Sequence, residues 1–166
     1  MDQTELRGLQ APLKEQYRRD PALAVITLRA EARVEEGVSC SVETGRALIQ
    51  AGLHPATGGS GLLACSGDML LQALVACAGV TLGAVATALG IEVRDARVRA
   101  EGDLDVRGTL GLTREAPVGF REIRLRFDFE TNATADQRAK LVELTERYCV
   151  VYQTLRSSPP VITSQA

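Results

Sequence analysis

The cleanest alternation in the chain runs from Phe120 to Glu130, where Ile123, Leu125, Phe127 and Phe129 fall on one face and Arg124, Arg126 and Asp128 on the other. Period-two patterning of this kind predicts a half-buried strand. Ile91 to Arg107 alternates too, with Val93, Val98, Leu104 and Val106 between charged residues, and Gly102 marks a bulge or turn, so two strands are expected there. Nearer the N-terminus, Ala22 to Arg33 reads as a strand, Glu36-Gly37 as a turn and Val38 to Thr44 as its hairpin partner. Thr4 to Arg19 is mixed in polarity and reads as a short exposed helix ended by Pro21. Gly45 to Gly61 gathers glycines and Pro55 and reads as a loop.

Two further segments have helical character. Thr134 with Gln137 three residues later forms a capping box, and the stripe Leu141, Leu144, Tyr148 follows it, leaving Cys149 at the far end. The other, Met69 to Gly90, carries no charged residue. Ser66 can cap it, Asp68 suits its first turn and Gly90 suits its end. It approaches the roughly 20 residues that cross a bilayer. However, it is rich in Ala and Gly, includes Gln72, Thr81 and Thr87, and has no aromatic at either end, so a buried helix is expected and no membrane partner. A helix apolar all round must be covered on every side, which two chains sharing a centre achieve more easily than one. Gly79 and Gly83 form a small-residue strip on it that suits close packing. The order of strands, helix, strands and helix predicts an α+β fold. A single domain over residues 1–166 is expected, with 1–20 an extension and the core at about 22–160.

Composition narrows the function. A net charge of −2 with no basic cluster argues against nucleic acid as a partner, and 4% aromatic residues without tryptophan leave few stacking platforms for bases. The charged N-terminus lacks the apolar stretch of a secretion signal, so a cytoplasmic location is expected. Cys40, Cys65, Cys77 and Cys149 show no Cys-x-x-Cys spacing and His54 is the sole imidazole, so free thiols are expected and neither a metal site nor a cofactor.

A thiol attacks as its thiolate, which needs a nearby cation or helix N-terminus. By that local criterion Cys65, just before Ser66, is the best-placed nucleophile. Cys77, among Leu70, Ala73, Leu74, Val80, Thr81 and Ala84 at helical spacing, reads by itself as a small core residue, and Cys149 likewise. His54 precedes Pro55 without an identifiable partner and reads as a loop histidine. Arg94, Arg97 and Arg99 read as a solvated sheet face.

The stretch Ser66-Gly-Asp-Met-Leu-Leu-Gln-Ala-Leu-Val-Ala-Cys77, with Thr81 beyond it, resembles the helix of the OsmC/Ohr family in which the peroxidatic cysteine follows an apolar, alanine-rich run. Arg147-Tyr-Cys149-Val-Val resembles that family's second-cysteine motif, with Val150 where proline is usual. Gly45-Arg46 and Gly58-Gly59-Ser60-Gly61 add to the resemblance, which covers about Val25 to Leu155.

The resemblance implies an intertwined homodimer, with antiparallel sheets wrapped around two central buried helices and the active sites at the interface. It further implies that Cys77 attacks a peroxide substrate, that Cys149 resolves the sulfenic acid as a disulfide, and that an external dithiol reductant resets the pair. In the family an arginine holds the thiolate and a glutamate ten residues before the first cysteine holds that arginine. Arg46 is the matching cation, which also reads as a solvated loop residue. Gly67 stands at the glutamate's place, and the adjacent Asp68 is a shorter substitute about 100° further round the helix. These departures leave two other readings open. One is a dimer of the same fold with little peroxidase activity that binds a small apolar or thiol ligand at the interface. The other makes Cys65 the active or resolving thiol.

Overall fold

The computed structural model describes residues 2–4, 8, 11, 15, 19, 32–34, 39–43 and 48–165. Arg46, the turn Glu36-Gly37 and most of Ala22 to Arg33 therefore lie outside the described residues. In the first segment Thr4, Gly8, Ala11, Glu15 and Arg19 are helical and exposed, as the mixed polarity there predicts.

The chain divides into two compact units. One comprises Glu15–Gln72 and Ala100–Arg124 and contains a four-stranded sheet in the order β1-β2-β3-β4. Strands β1 (Ala32–Val34) and β2 (Ser39–Glu43) pair antiparallel with Val34 opposite Cys40, the hairpin anticipated from the sequence. Strand β3 (Leu48–Gly52) pairs antiparallel with β2, and β4 (Ala64–Cys65) pairs parallel with β3.

Strand β3 corrects the expectation of an unbroken loop from Gly45 to Gly61. Five residues are too few to show a period, and what makes Leu48–Gly52 a strand is the backbone pairing supplied by β2. The rest of that segment is tightly tied. His54 heads a 3-10 turn, Pro55–Thr57, and its carbonyl accepts from the Thr57 N–H at 2.8 Å, the Gly59 N–H at 3.1 Å and the Thr57 hydroxyl at 2.9 Å.

Helix α1 (Ser66–Leu89) begins directly after β4, with Ser66 itself as its first residue, and is continuous from this unit into the other. Strand β5 (Arg94–Leu104) is one strand where two were expected. Gly102 does not break it. A Cβ at Gly102 would stand 2.5 Å from the Phe120 ring, so glycine lets an aromatic side chain lie on the strand. The alternation then stops because Asp105 caps a short helix, α2 (Val106–Thr109). Its carboxylate accepts from the Arg107 backbone N–H at 3.2 Å and from the Arg107 guanidinium at 2.6 and 2.9 Å. The guanidinium bonds hold the Asp105 carboxyl down at about 2.

The second unit comprises Met1–Lys14, Ala73–Arg99 and Leu125–Ala166. Strand β6 (Phe120–Glu130) pairs with β5. The ion pairs Arg99–Asp128 and Asp103–Arg124 advance in opposite directions along the two strands, which makes the pair antiparallel. Helix α3 (Ala135–Tyr148) opens with the capping box, because the Thr134 side chain accepts from the Gln137 N–H and the Gln137 side chain accepts from the Thr134 N–H. The chain kinks at Cys149 and continues as helix α4 (Val150–Arg156). Leu82, Val85, Ala86 and Leu141 form the core, with Val98, Phe127, Phe129 and Leu144 packed around them. Tyr148, expected on the buried stripe, is 59% exposed, and Thr145 takes the buried position instead with its hydroxyl donating to the Leu141 carbonyl at 2.8 Å.

Helix α1 is not covered on every side within one chain. Leu74, Ala78, Leu82, Val85 and Ala86 are buried, whereas Ala73, Ala76, Val80 and Gly83 form an exposed stripe on the other side. By length and composition α1 could cross a bilayer, and 28% of its most apolar stretch is buried in the single chain.

Candidate active site

The core register decides which thiols meet. Leu141 on α3 packs with Leu82, Val85 and Ala86 on α1. Eight residues after Leu141 the chain reaches Cys149, and eight residues before Val85 it reaches Cys77. Cys77 and Cys149 lie near one another, eight residues from that core in opposite directions along the chain, so at equal rises of 1.5 Å per residue α1 and α3 run antiparallel there. The two side chains are close enough that each perturbs the acidity of the other.

The two thiols are pushed in opposite directions. Burial, the largest single influence, raises Cys77, but the Val151 N–H, the Cys149 side chain, the Val150 N–H and the Thr81 hydroxyl nearby favour its anion, and the net direction is downward. Such donors favour the anion. Cys149 moves up: burial is the chief cause, the Tyr152 N–H opposes it, Cys77 alongside adds to the rise, and the Val151 N–H opposes it slightly. Cys77 is thus the more acidic thiol of the pair. Cys149 is fully buried while Cys77 is partly accessible, so the more anionic sulfur is also the one open to a small molecule.

Local sequence explains the donors. Cys149 has φ −74° and ψ 108°, an extended conformation that ends α3 and starts α4. Its N–H still bonds back to the Thr145 carbonyl at 3.0 Å, and the first bond inside α4 runs from the Gln153 N–H to the Cys149 carbonyl at 2.9 Å. The N–H groups of Val150, Val151 and Tyr152 precede that bond and have no acceptor within α4. They turn to the sulfurs. Thr81 is anchored by its own hydroxyl, which donates to the Cys77 carbonyl at 2.8 Å. The amides of Val150 and Val151 were not foreseen from the sequence. The one signal for them was valine where the resembling motif has proline, since proline has no N–H to offer.

The other residues singled out from the sequence lie elsewhere. Asp68, Gly67 and Cys65 belong to the unit that holds the four-stranded sheet, whereas Cys77 and Cys149 belong to the other. Arg46 is outside the described residues. Cys40 lies on β2 opposite Ala51. The Nδ1 of His54 accepts from the Ala56 N–H at 3.1 Å, which ties that ring into its loop. Cys65 borders a cavity of about 660 Å³ walled chiefly by Leu53, Leu70, Leu104, Val118 and Phe120. Gly67 also faces it, and a Cβ there would meet the Phe120 ring at 3.5 Å and the Cys65 sulfur at 3.6 Å. Among the described residues no group of three His, Cys, Asp or Glu side chains is placed to hold a metal ion.

The fold is similar to that of an OsmC-like protein from Mycoplasma pneumoniae, at 17% identity and a TM-score of 0.67, covering 80% of this chain and 89% of that one. It is also similar to an organic hydroperoxide resistance protein from Elizabethkingia anophelis, at 18% identity and a TM-score of 0.65, covering 81% and 91%. A third similar structure is the organic hydroperoxide resistance protein OhrB of Bacillus subtilis, at 19% identity and a TM-score of 0.52, covering 80% and 93%. A search of curated proteins finds no match. The sequence profile of OsmC-like proteins matches residues 59–164, a span that holds α1 with Cys77 and the α3–α4 junction with Cys149, and the chain therefore belongs to the OsmC-like family.

Proposed function

We propose that the chain is a cytoplasmic thiol-dependent peroxidase that reduces organic hydroperoxides or hydrogen peroxide through Cys77, with Cys149 as the resolving thiol. The observation that carries this reading is the nearness of the partly accessible Cys77, which is drawn toward the anion, to the fully buried Cys149, which is drawn away from it. The names of the solved relatives from Elizabethkingia anophelis and Bacillus subtilis, both organic hydroperoxide resistance proteins, point the same way.

In the proposed cycle the Cys77 thiolate attacks one peroxide oxygen. The O–O bond breaks, and the leaving alkoxide or hydroxide takes a proton to become an alcohol or water. Cys149 then attacks the sulfenic sulfur, expels water and closes a disulfide. Exchange with an external dithiol oxidises that dithiol and returns both cysteines to thiols. Arg46 is the proposed cation beside the thiolate, and Asp68 its substitute partner in place of the family glutamate. The working form is proposed to be a homodimer, because the exposed stripe Ala73, Ala76, Val80 and Gly83 on α1 leaves apolar surface for a second copy to cover.

A second reading draws on the aliphatic cavity beside Cys65. In it the chain is an OsmC-like scaffold with little peroxidase activity that binds a small apolar or thiol-bearing ligand. Peroxide consumption with an organic hydroperoxide and a dithiol, compared among wild type, Cys77→Ser, Cys149→Ser and Cys65→Ser, separates the two. Turnover lost in Cys77→Ser, with a Cys77–Cys149 disulfide in the oxidised wild type by intact mass, supports the peroxidase. No turnover, with Cys77 unmodified after peroxide, sinks it and leaves the scaffold.

A further inference from the structure

We propose that His54 is a pH-sensitive latch on the loop that walls the cavity beside Cys65: its neutral ring holds the 3-10 turn Pro55–Thr57 closed, and protonation of the ring releases that turn. The inference is independent of the chemistry proposed at Cys77 and stands or falls whichever reading of that thiol holds.

Three observations carry it. The ring caps the turn directly: His54 stands at the N-cap with φ −64° and ψ 146°, and its Nδ1 accepts from the Ala56 N–H at 3.1 Å. A ring nitrogen that accepts a hydrogen bond carries no proton, so the proton of the neutral ring is on Nε2, and a second proton on Nδ1 would set two N–H donors against each other. Ser, Thr and Asn, the neutral residues usual at an N-cap, accept through oxygens that do not titrate, whereas imidazole is the side chain that ordinarily changes charge between pH 5 and 8. The cap is therefore present at higher pH and lost as pH falls. Next, the same residue ties the rest of the loop, because the His54 carbonyl accepts from the Thr57 N–H at 2.8 Å, the Thr57 hydroxyl at 2.9 Å and the Gly59 N–H at 3.1 Å. Last, this loop is a cavity wall: Leu53, His54, Ala56 and Thr57 line the cavity of about 660 Å³, and His54 and Pro55 also line a neighbouring one of about 290 Å³.

The groups around the ring leave the switch to the ring itself. Cys65 on β4 and Asp68 on α1 are the titratable side chains that share both cavities with it, and among the described residues His54 forms no ion pair with Asp68. The turn packs against helix α2, whose one charged side chain, Arg107, is held by Asp105. The ring is exposed, so a proton reaches it without the fold opening. Gly59 couples the turn to the wall, since a Cβ there would overlap the Leu53 carbonyl.

The experiment is amide hydrogen exchange of the full chain by NMR, read at Thr57 and Gly59 as protection relative to the intrinsic rate at about pH 7.5 and about pH 5, in wild type, His54→Asn and His54→Ala. The carboxamide oxygen of asparagine can accept the same Ala56 N–H and does not titrate. Wild type is expected to lose about twofold to thirtyfold in protection at the lower pH, the range that corresponds to loss of one N-cap. His54→Asn is expected to keep its protection at both pH values, and His54→Ala to show the low protection at both. Equal protection at the two pH values in wild type, or the same fall in His54→Asn, would overturn the proposal. Should the variants fail to fold, the wild-type ring decides alone. Its neutral form is expected to carry the proton on Nε2 by nitrogen chemical shift, with the Ala56 amide resonance moving together with the ring titration. A neutral ring protonated on Nδ1, or an Ala56 amide that stays still through the titration, would overturn it.

Discussion

Cys65 and Cys77 stand just before and midway along one helix, with different surroundings. Cys65 stands next to the start of a 24-residue helix, where a thiol feels the positive end of the dipole, yet its surroundings are the aliphatic wall of a cavity and the Phe120 ring. Cys77 lies in the middle of the same helix, where neighbours along the element offer no polar group except Thr81, and yet it is this thiol whose acidity is raised, by the chain around Cys149, Val150 and Val151. The difference teaches that the chemistry of a helical thiol is set by what packs against it. The chain around Cys149, 72 residues further along, supplies the neighbours that lower Cys77, and tertiary packing brings it there.

The largest test of that contrast is loss of each sulfur in turn. Cys77→Ser is expected to lower peroxide turnover by on the order of 100-fold or more, as removal of a nucleophile does, and Cys65→Ser to leave it within about twofold. Comparable losses in both variants, followed by peroxide consumption, would erase the distinction.

The supporting cores should differ too. Leu141 is fully buried at the packing point that aligns the thiols, so Leu141→Ala is expected to cost about 2–5 kcal/mol by denaturant unfolding and to weaken Cys77 as a nucleophile. Leu104, on the cavity wall and 44% exposed, is expected to cost less than about 1 kcal/mol on the same change. Similar costs at the two sites would mean that the cavity region is as tightly packed as the thiol region.

Gly67→Ala sharpens the comparison from the cavity side. The added methyl meets the Phe120 ring, the Cys65 sulfur and Leu104 at 3.5 to 3.7 Å, ordinary contact distances, so a gain of about 0.4–1 kcal/mol in stability is expected with no change in the Cys77 alkylation midpoint. A moved midpoint would show coupling between the two regions.

The smallest expected effect belongs to Thr81→Val. Its hydroxyl proton is already directed at the Cys77 carbonyl, so the Cys77 midpoint is expected to rise by a few tenths of a pH unit, about a twofold loss of thiolate near neutrality. The sign for pH follows from the same lowering. Reaction at Cys77 should grow as pH rises and level off before the ordinary thiol value of 9.0 is reached. A group whose acidity is raised by folding stabilises the fold fully above its unfolded pKa and loses that contribution as pH falls through the folded one. The reduced chain should therefore gain stability from this group between its lowered midpoint and 9.0, readable by urea unfolding at pH 7 and pH 9.

Much of the architecture is local, and so was legible in the chain. The alternation of Phe120 to Glu130, the Thr134–Gln137 capping box and the glycine that ends α1 each depend on residues a few positions apart. Strand β3 was not legible, because its five residues become a strand through pairing with β2, and the short helix α2 hid behind an alternation that Asp105 ends. Tyr148 fell on a helical stripe whose end lies past the point where the core stops, and it faces outward.

The candidate site divides the same way. The sequence by itself determined that four cysteines would be candidates, that a charge-free helix would carry one of them, and that a resembling motif paired Cys77 with Cys149. Only the tertiary structure decided that these two thiols lie near one another and which of them is drawn toward the anion. The physical reason is that every residue except proline carries a backbone N–H whatever its side chain. The sequence cannot mark which amide will be left without a helical acceptor, and that choice is made where the chain kinks at Cys149 and packing brings a sulfur within reach.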